Sequence, residues 1–552
     1  MKIGFKNFKK FADFPPIELS PITFLVGPNN SGKSSFIKAI ALLWNNFDRI
    51  SKGISLKHPP LLDFSFEKLN QLYGWGDFVS FLNENSYDHN MAFSWSDKTH
   101  KYRIKFGATP EELKENFTLY MNTPVVFFEL ERINDGEKLI YSTKDNKKWD
   151  VSMENINKSH LEKWLKYRIE WYNERINKKN GVNETEDTLG ENPFSKSEEY
   201  IKKVIEFTEI EKQANFSCKH DIKIDRDNAY QLLSFISSPE WSERMSLSYN
   251  DRMFVRNTLA DYAYYFLQGC LKNTFYIGNS EIRYVEAHNA SHDVFLLAND
   301  KNNFLARTVY GYFSNVVEGD KIKIKTNENT LKEWICKWLH RLNIAEGYEI
   351  LRKYNGTGFE VKITHKPDVS YENNPESFVD LGSLGTGSIQ LFILLLQIGM
   401  ALSEAMPHMI VEEPEQLHPD IVNKIQKEIG KKIIILLEEP EQNLHPALQS
   451  RLAELFEEVL NISEGKINFV IETHSEYLIR KIQVMVAEQE YPSEIELEEK
   501  NPFEVYYFPT EGLPYRMGHS IYGRHKNKFG KGFFDESAKW HLEIIRRERG
   551  IK

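Results

Sequence analysis

The segment Gly27-Pro28-Asn29-Asn30-Ser31-Gly32-Lys33-Ser34 constrains this chain more than any other. It follows the buried-strand run Ile22 to Val26 and opens an apolar-periodic helix over Ser35 to Trp44. A strand, a glycine-rich loop of this spacing and a helix together make a phosphate cradle, because backbone N–H groups converge at a helix N-terminus whose dipole favours negative charge. In that frame Gly27, Asn29, Asn30, Ser31, Gly32 and Ser35 shape the loop. Lys33 is placed to neutralise β and γ phosphate oxygens, and Ser34 to offer its hydroxyl to Mg²⁺.

Such a loop needs an acidic partner at the end of a neighbouring strand. Ile433 to Leu437 is a continuous apolar run typical of a central parallel strand, and Glu438-Glu439-Pro440 closes it. Glu438 is the candidate for the Mg²⁺ shell and Glu439 for polarising an attacking water. The next apolar strand, Ile467 to Ile471, leads into Thr473-His474-Ser475, which puts His474 on the same sheet edge, in reach of a γ-phosphate. Between the two, Ala447 to Leu460 places Leu448, Leu452, Leu455, Phe456 and Val459 on one helical face, so the fold class is α/β. Gly385-Thr386-Gly387-Ser388 precedes a helix that is apolar almost all round through Leu402, and offers further N–H groups to a phosphate.

One motif occurs nearly twice. Val411-Glu412-Glu413-Pro414-Glu415-Gln416-Leu417-His418-Pro419 resembles the segment around Glu438, but it follows Met406-Pro407-His408, where a long strand is disfavoured. The second copy, behind five apolar residues, is therefore assigned to the strand. The first reads as a tolerated duplication or an added regulatory segment.

Taken together, GPNNSGKSS, LGTGSIQ, LLEEPEQNLHPALQ and IETHS resemble the AAA-15/OLD/RecF-related branch of ABC-type ATPases, as does the opening MKIGFKNFKKF. The resemblance implies an ABC/RecF-like P-loop ATPase head, a mixed sheet flanked by helices and split by a long, mostly helical insertion. It implies ATP and Mg²⁺ as cofactors, and a homodimer or higher homo-oligomer held by a head-to-tail ATP sandwich. In that sandwich the P-loop, Glu438, Glu439 and His474 of one subunit face Gly385 to Ser388 of another. Gly385 stands where the usual LSGGQ has serine, so Thr386 or Ser388 is expected to take over that contact. Gln71, before Tyr73-Gly74-Trp75-Gly76-Asp77, is a candidate Q-loop glutamine.

Within the family the chain is most similar to ATPase subunits of Septu-type (PtuA-like) anti-phage systems, stand-alone or retron-associated. This implies a slow, regulatory ATPase that senses infection or nucleic acid and controls a partner HNH nuclease. DNA, or a retron reverse transcriptase with its nucleic acid, is a further implied partner. The segment after His474 is expected to be too short for a TOPRIM nuclease domain. The alternative is a RecF/SMC-like DNA-repair ATPase acting on DNA without a nuclease partner.

The 552 residues exceed one ordinary domain, and a net charge of −10 gives no overall basic excess for nucleic acid. The basic residues Arg524, His525, Lys526, Lys528 and Lys531 are a local patch suited to phosphate, to a protein partner or to solvent. Cys218, Cys270 and Cys336 match neither a disulfide framework nor a zinc pattern, the start lacks the apolar core of a secretory signal, and the apolar run Leu391 to Leu402 is shorter than the ~20 residues that span a bilayer. A cytoplasmic location without membrane contact is expected. The expected division is 1–60 with the P-loop, 61–150 as an antiparallel β part of the head, 151–320 as a helical arm, 321–480 with the remaining ATPase motifs, and 481–552 as a C-terminal extension. Within it, Tyr102 to Gly107, Phe117 to Met121, Val125 to Leu130 and Glu137 to Thr143 read as meander strands. Leu161, Trp164, Leu165, Ile169, Tyr172 and Ile176 form a helical face before the polar stretch 178–198, and helical pattern continues to about 275. Lys321 to Lys325 and Gly358 to Thr364 read as strands returning to the main sheet.

Overall fold

The computed structural model describes residues 1–53, 63–84, 89–143, 148–167, 213–219, 234–236, 280–286, 296–297, 323–324, 329–353, 358–365, 377–381, 384–405, 432–531, 533–534 and 536–548, with isolated positions between 170 and 266. The chain divides into two units: Met1–Glu18 with Leu42–Gly278, and Leu19–Ala41 with Asn279–Lys552.

In chain order the first elements are β1 (Lys2–Phe8), β2 (Phe11–Glu18), β3 (Ile22–Val26), α1 (Lys33–Gly53), β4 (Asp63–Ser65), α2 (Glu67–Tyr73) and α3 (Phe78–Phe81). After them come β5 (Asn90–Ser96), β6 (His100–Gly107), α4 (Pro110–Glu115), β7 (Asn122–Arg132), β8 (Lys138–Thr143), β9 (Lys148–Glu154), β10 (Gln213–Lys219) and β11 (Ser234–Ile236). The first unit is an antiparallel sheet in the order β11-β10-β9-β8-β7-β6-β5-β1-β2, with β4 on β7. Alternation along β1, β2, β5 and β6 sends phenylalanines to one face, where Phe5 stacks on Phe14 at 4.4 Å and Phe64 on Phe106 at 4.0 Å. Such ring pairs contribute about 0.5–1.5 kcal/mol each beyond the area they bury.

Phe117 to Met121 is not a strand. The Asn116 side chain accepts a hydrogen bond from the Thr118 N–H at 3.1 Å, which turns Phe117–Tyr120 into a 3-10 helix and leaves Phe117 at the surface. Leu161, Trp164 and Leu165 are buried on a short helical stretch, whereas Ile169, Tyr172, Ile176 and the 178–198 stretch lie outside the described residues. β10 and β11 fall where helical pattern was expected. β10 continues the ladder on β9 from Gln213↔Glu154 to Lys219↔Lys148, so pairing with an open edge overrides a weak local preference.

The remaining elements are β12 (Ser280–Glu286), β13 (Leu296–Leu297), β14 (Lys323–Ile324), β15 (Asn329–Thr330), α5 (Leu331–Arg341), β16 (Gly347–Lys353), β17 (Gly358–His365), β18 (Ser377–Asp380) and α6 (Thr386–Ala405). They end with β19 (Lys432–Glu438), α7 (Pro446–Ile462), β20 (Ile467–Thr473), α8 (Glu476–Glu488), α9 (Glu494–Lys500), β21 (Phe503–Tyr507), β22 (Tyr515–Arg516) and α10 (Glu536–Glu548). The second unit is built on a six-stranded mixed sheet, β12-β19-β20-β3-β21-β22, in which only β22 runs antiparallel to its neighbour. This is an α/β fold with helices packed on a mixed sheet.

Two strands of that sheet come from segments read otherwise. β12 lies within 151–320, and β21 lies beyond 480, directly beside the P-loop strand β3. Conversely, β17 does not return to this sheet: it joins β13, β16 and β18 in a separate four-stranded sheet. Among the described residues β14 pairs with β15 alone.

α6 carries the core. Its twenty residues have the length and apolarity to cross a membrane, longer than the Leu391 to Leu402 run suggested, but 83% of that window is buried inside the protein. Leu391, Phe392, Leu395, Ile398 and Leu402 pack in one cluster with Trp334 and Trp338 of α5 and Ile433, Ile435 and Leu437 of β19. A helix apolar all round is what a central position requires. Across α5 and α7, Glu458 accepts hydrogen bonds from the indoles of Trp334 and Trp338 and, with Glu454, pairs Arg341.

Candidate active site

Parallel strands bring their C-terminal ends to one sheet edge, and the registers Glu472↔Leu25, Thr473↔Val26 and Glu438↔Glu472 align the chemistry there. β3 ends at Val26 and the chain turns through Gly27, at φ +152°, Asn30 at +58° and Gly32 at +103° before α1 begins at Lys33. Gly27 is required by contact as well as by φ: a Cβ there would stand 2.2 Å from the Phe508 carbonyl oxygen. Phe508 is fixed in turn by its own N–H, which donates to Val26 O at 2.8 Å.

Lys33 is buried. Its ammonium donates to the carbonyls of Gly27 at 3.0 Å and Pro28 at 2.9 Å and lies 3.6 Å from Glu472 Oε1. Burial lowers its pKa, and the Glu472 carboxylate opposes that shift. Ser31 is buried with no hydrogen-bond partner for its hydroxyl, a polar group aligned with a loop built for a ligand. Asn29 and Asn30 are exposed, Ser34 and Ser35 are half-buried, and the Ser34 hydroxyl pulls the Glu472 pKa down.

The turn after β19 is strained at Glu439, whose φ of +44° is uncommon for a residue with a side chain. Its N–H donates to Glu472 O at 2.8 Å, and its carboxylate comes within 3.6 Å of His474 Nε2. Gln442 Nε2 donates to the other Glu439 oxygen. Burial lowers the His474 pKa and Lys33 lowers it further, while the Glu439 carboxylate opposes both. His474 N donates to Glu441 Oε1 at 2.7 Å. Burial pushes the Glu441 carboxyl up to about 7, and Glu472 is also raised by burial against the pull of Ser34 and Lys33.

Sequence reasoning located Lys33, Ser34, Glu438, Glu439 and His474 on this edge, and missed Glu441, Gln442 and Glu472. The available signal was positional: Glu472 closes its strand two residues before His474, as Glu438 closes β19. The first copy of the acidic motif, Val411 to Pro419, lies outside the described residues; the second occupies β19 and its turn.

Gly385, Thr386, Gly387 and Ser388 gather elsewhere in the same unit, at the α6 N-terminus. With Asn443, Leu444 and His445 they line an open depression of about 300 Å³. Gly387 packs so closely on Asn443 that a Cβ would lie 2.5 Å from its carbonyl oxygen, and Asn443 Nδ2 donates to Gln390 at 3.4 Å. Gln71, on α2, belongs to the first unit. Arg524 to Lys531 contributes structure: His525 packs on His519 with ring centroids 4.7 Å apart, and Lys526 pairs with Glu494 at 2.7 Å.

The donor set suits a divalent cation beside phosphate. Single ligand atoms of Glu439, Glu472 and His474 lie within 4.8 Å of one another, and Glu472 Oε2, buried, has no hydrogen-bond partner. Ser34 lies in the first turn of α1 and Glu438 closes β19, and both offer the oxygen ligands that a hard cation such as Mg²⁺ takes.

Among solved structures the chain is similar to an SMC head crystallised with the C-winged helix domain of ScpA, at 11% identity over 94% of this chain and 97% of that one, with a TM-score of 0.31. It is similar to the SMC head domain from Thermotoga maritima at 10% identity, over 94% and 98%, with a TM-score of 0.26. The recombination mediator protein RecF of the RecFOR pathway gives 10% identity over 94% and 97%, with a TM-score of 0.29. No curated protein matches the chain. The model of the AAA ATPase domain family AAA_15 matches residues 1–479, and the chain belongs to that family.

Proposed function

We propose that this ATPase works as a nucleotide-driven switch, with Lys33 and the P-loop amides holding the phosphates, Glu439 polarising the attacking water and His474 meeting the γ-phosphate. The observation that carries this reading is the convergence of Lys33, Glu439, Glu472 and His474 at one sheet edge. Mg²⁺, held by Ser34 and Glu438, would neutralise charge on the phosphates. Glu439 needs a fixed carboxylate, and the Gln442 amide with the backbone bond to Glu472 supplies the fixing. Glu441 holds the His474 backbone, so motion of the acidic turn moves both groups together.

The depression at Gly385 to Ser388 supports the further reading that a second copy presents this face to the nucleotide, closing a head-to-tail sandwich. The motif resemblance supports slow, regulatory hydrolysis in an anti-phage complex that senses infection or nucleic acid and controls an HNH nuclease. ATP turnover and assembly mass of wild type, Lys33→Ala and Glu439→Gln, with and without co-expressed HNH nuclease and DNA, test these readings. The expected result is loss of turnover in both variants, an ATP-trapped oligomer of Glu439→Gln, and nuclease retained on that oligomer. DNA-stimulated turnover with salt-dependent duplex binding and no nuclease retained would instead favour the repair-type ATPase. Unchanged turnover in Glu439→Gln would remove Glu439 from the mechanism.

A further inference from the structure

The Glu472 side chain is given no role of its own in the mechanism above. It is 4% exposed, at the end of a central strand, where a carboxylate is stable only if its charge is compensated. Its compensation is Lys33, 3.6 Å from Oε1, and the Ser34 hydroxyl also favours the charged form of the same carboxyl. Oε2 makes no hydrogen bond, although it is buried and the Glu472 carboxylate shares a cluster with Glu439 and His474. A purely structural ion pair would be expected to satisfy both oxygens. This one occupies the two residues that a nucleotide needs, the phosphate-binding lysine and the metal-binding serine, and leaves an oxygen over.

From this arrangement we infer that Glu472 is a positioning residue that holds Lys33 and Ser34 in the nucleotide-free chain and makes nucleotide binding depend on a divalent cation. The inference rests on the ATP-site reading given above. A metal-free triphosphate must draw Lys33 away from Glu472, leaving a buried carboxylate uncompensated while adding negative charge beside Glu438 and Glu439. A divalent cation arriving with the nucleotide replaces the charge that Lys33 withdraws, and gives the unsatisfied Glu472 oxygen something to face. Lys33 and Ser34 are then released together.

The test is ATP affinity by titration calorimetry, in EDTA and in magnesium chloride, for wild type, Glu472→Gln, Glu472→Thr and Glu472→Asp, with melting curves as a check of folding. Glu472→Gln keeps the shape and an acceptor for Ser34 but removes the charge. Metal-free ATP should bind it about tenfold more tightly than wild type, the change that ~1.4 kcal/mol of lost competition produces. Affinity in magnesium should move less than about threefold, so the ratio of the two affinities falls. Glu472→Thr, small and neutral, should lower that ratio in the same direction should the glutamine variant fail to fold. Glu472→Asp keeps the charge and should keep the wild-type ratio. An unchanged or weakened metal-free affinity in the folded neutral variants, with wild type binding ATP normally, overturns the inference alone. Wild type that binds no ATP even with magnesium overturns the ATP-site reading itself.

Discussion

Gly27 couples the phosphate loop to the rest of the second unit through its contact with Phe508, and Gly27→Ala measures that coupling. The added methyl would stand 2.2 Å from the Phe508 carbonyl oxygen and 3.1 Å from its carbon, against backbone that cannot rotate aside. Relief requires the end of β21 to move, although Phe508 N–H is bonded to Val26 O and Tyr507 is in register with Val26. Overpacking of a tight contact costs about 1–3 kcal/mol, and holding a non-glycine residue in a sparsely populated φ region about 1–3 kcal/mol more. The sum, roughly 2–6 kcal/mol, falls on the loop that must keep its shape to bind phosphate. Even the lower end predicts a loss of about thirtyfold in ATP affinity. Calorimetric titration with ATP and magnesium, alongside a melting curve, reads both effects. Gly465→Ala is the control: its φ of +76° carries a backbone cost, but nothing lies within 4 Å of its Cβ. A Gly27→Ala protein that binds ATP within threefold of wild type would refute the reasoning, since β21 would then be free to yield.

Three further outcomes are expected. On the role proposed for Glu439, Glu439→Gln should bind ATP within about threefold of wild type yet lose on the order of 100-fold or more in turnover, read by phosphate release, because the change removes the charge while keeping the side chain's shape. Gly387→Ala, whose Cβ would meet Asn443 O at 2.5 Å, should displace the loop at the α6 N-terminus, leaving ATP binding by the monomer intact and abolishing ATP-dependent oligomers in light scattering. Glu137, fully buried beside Arg132 at 3.0 Å and Tyr262 at 3.0 Å, has its pKa pushed by burial from 4.5 to about 7. A raised carboxyl pKa leaves the folded state undisturbed below pH 4.5 and costs it stability as pH rises through about 7, on the order of 3 kcal/mol when complete. Glu137→Gln should therefore gain on wild type in denaturant titrations between pH 5 and 8, and a difference that stays flat over that window would contradict the assignment.

The sequence carried the site's order better than its neighbours. Strand, loop and helix around Lys33, acids closing an apolar strand and a histidine closing the next are local patterns, each readable from residue type and spacing. Their alignment at one edge follows from parallel pairing alone. The partners of those residues depend on register, which no local pattern prints. Ser-Glu-Ile-Arg-Tyr-Val-Glu, β12, falls in the stretch expected to be a helical arm, yet it pairs in parallel with β19 along its length. Phe-Glu-Val-Tyr-Tyr, β21, is buried at every position because it is interior to the sheet, between β3 and β22. Neither location could be read without knowing which strand each would meet.

The same reasoning explains why the acidic motif is longer than catalysis alone requires. Glu438 ends the strand and Glu439 turns out of it at positive φ, a conformation that costs free energy and persists only where neighbours enforce it. Gln442 holds the Glu439 carboxylate, Glu441 holds the His474 N–H, Asn443 reaches Gln390 on α6, and Gln449 accepts the Ser475 hydroxyl at 2.6 Å. The turn thereby ties β19 to β20 and to α6, and α7 behind it is tied to the start of α8. A change of charge at the phosphate site that shifts Glu439 must strain each of those bonds, and the loop at Gly387 is packed directly against the same turn. Glu441→Ala tests whether the turn transmits. If it does, removing that carboxylate should loosen both the His474 backbone and Asn443, and lower turnover and ATP-dependent assembly together. Turnover lost with assembly untouched would confine Glu441 to the histidine and leave the path to Gly387 without support.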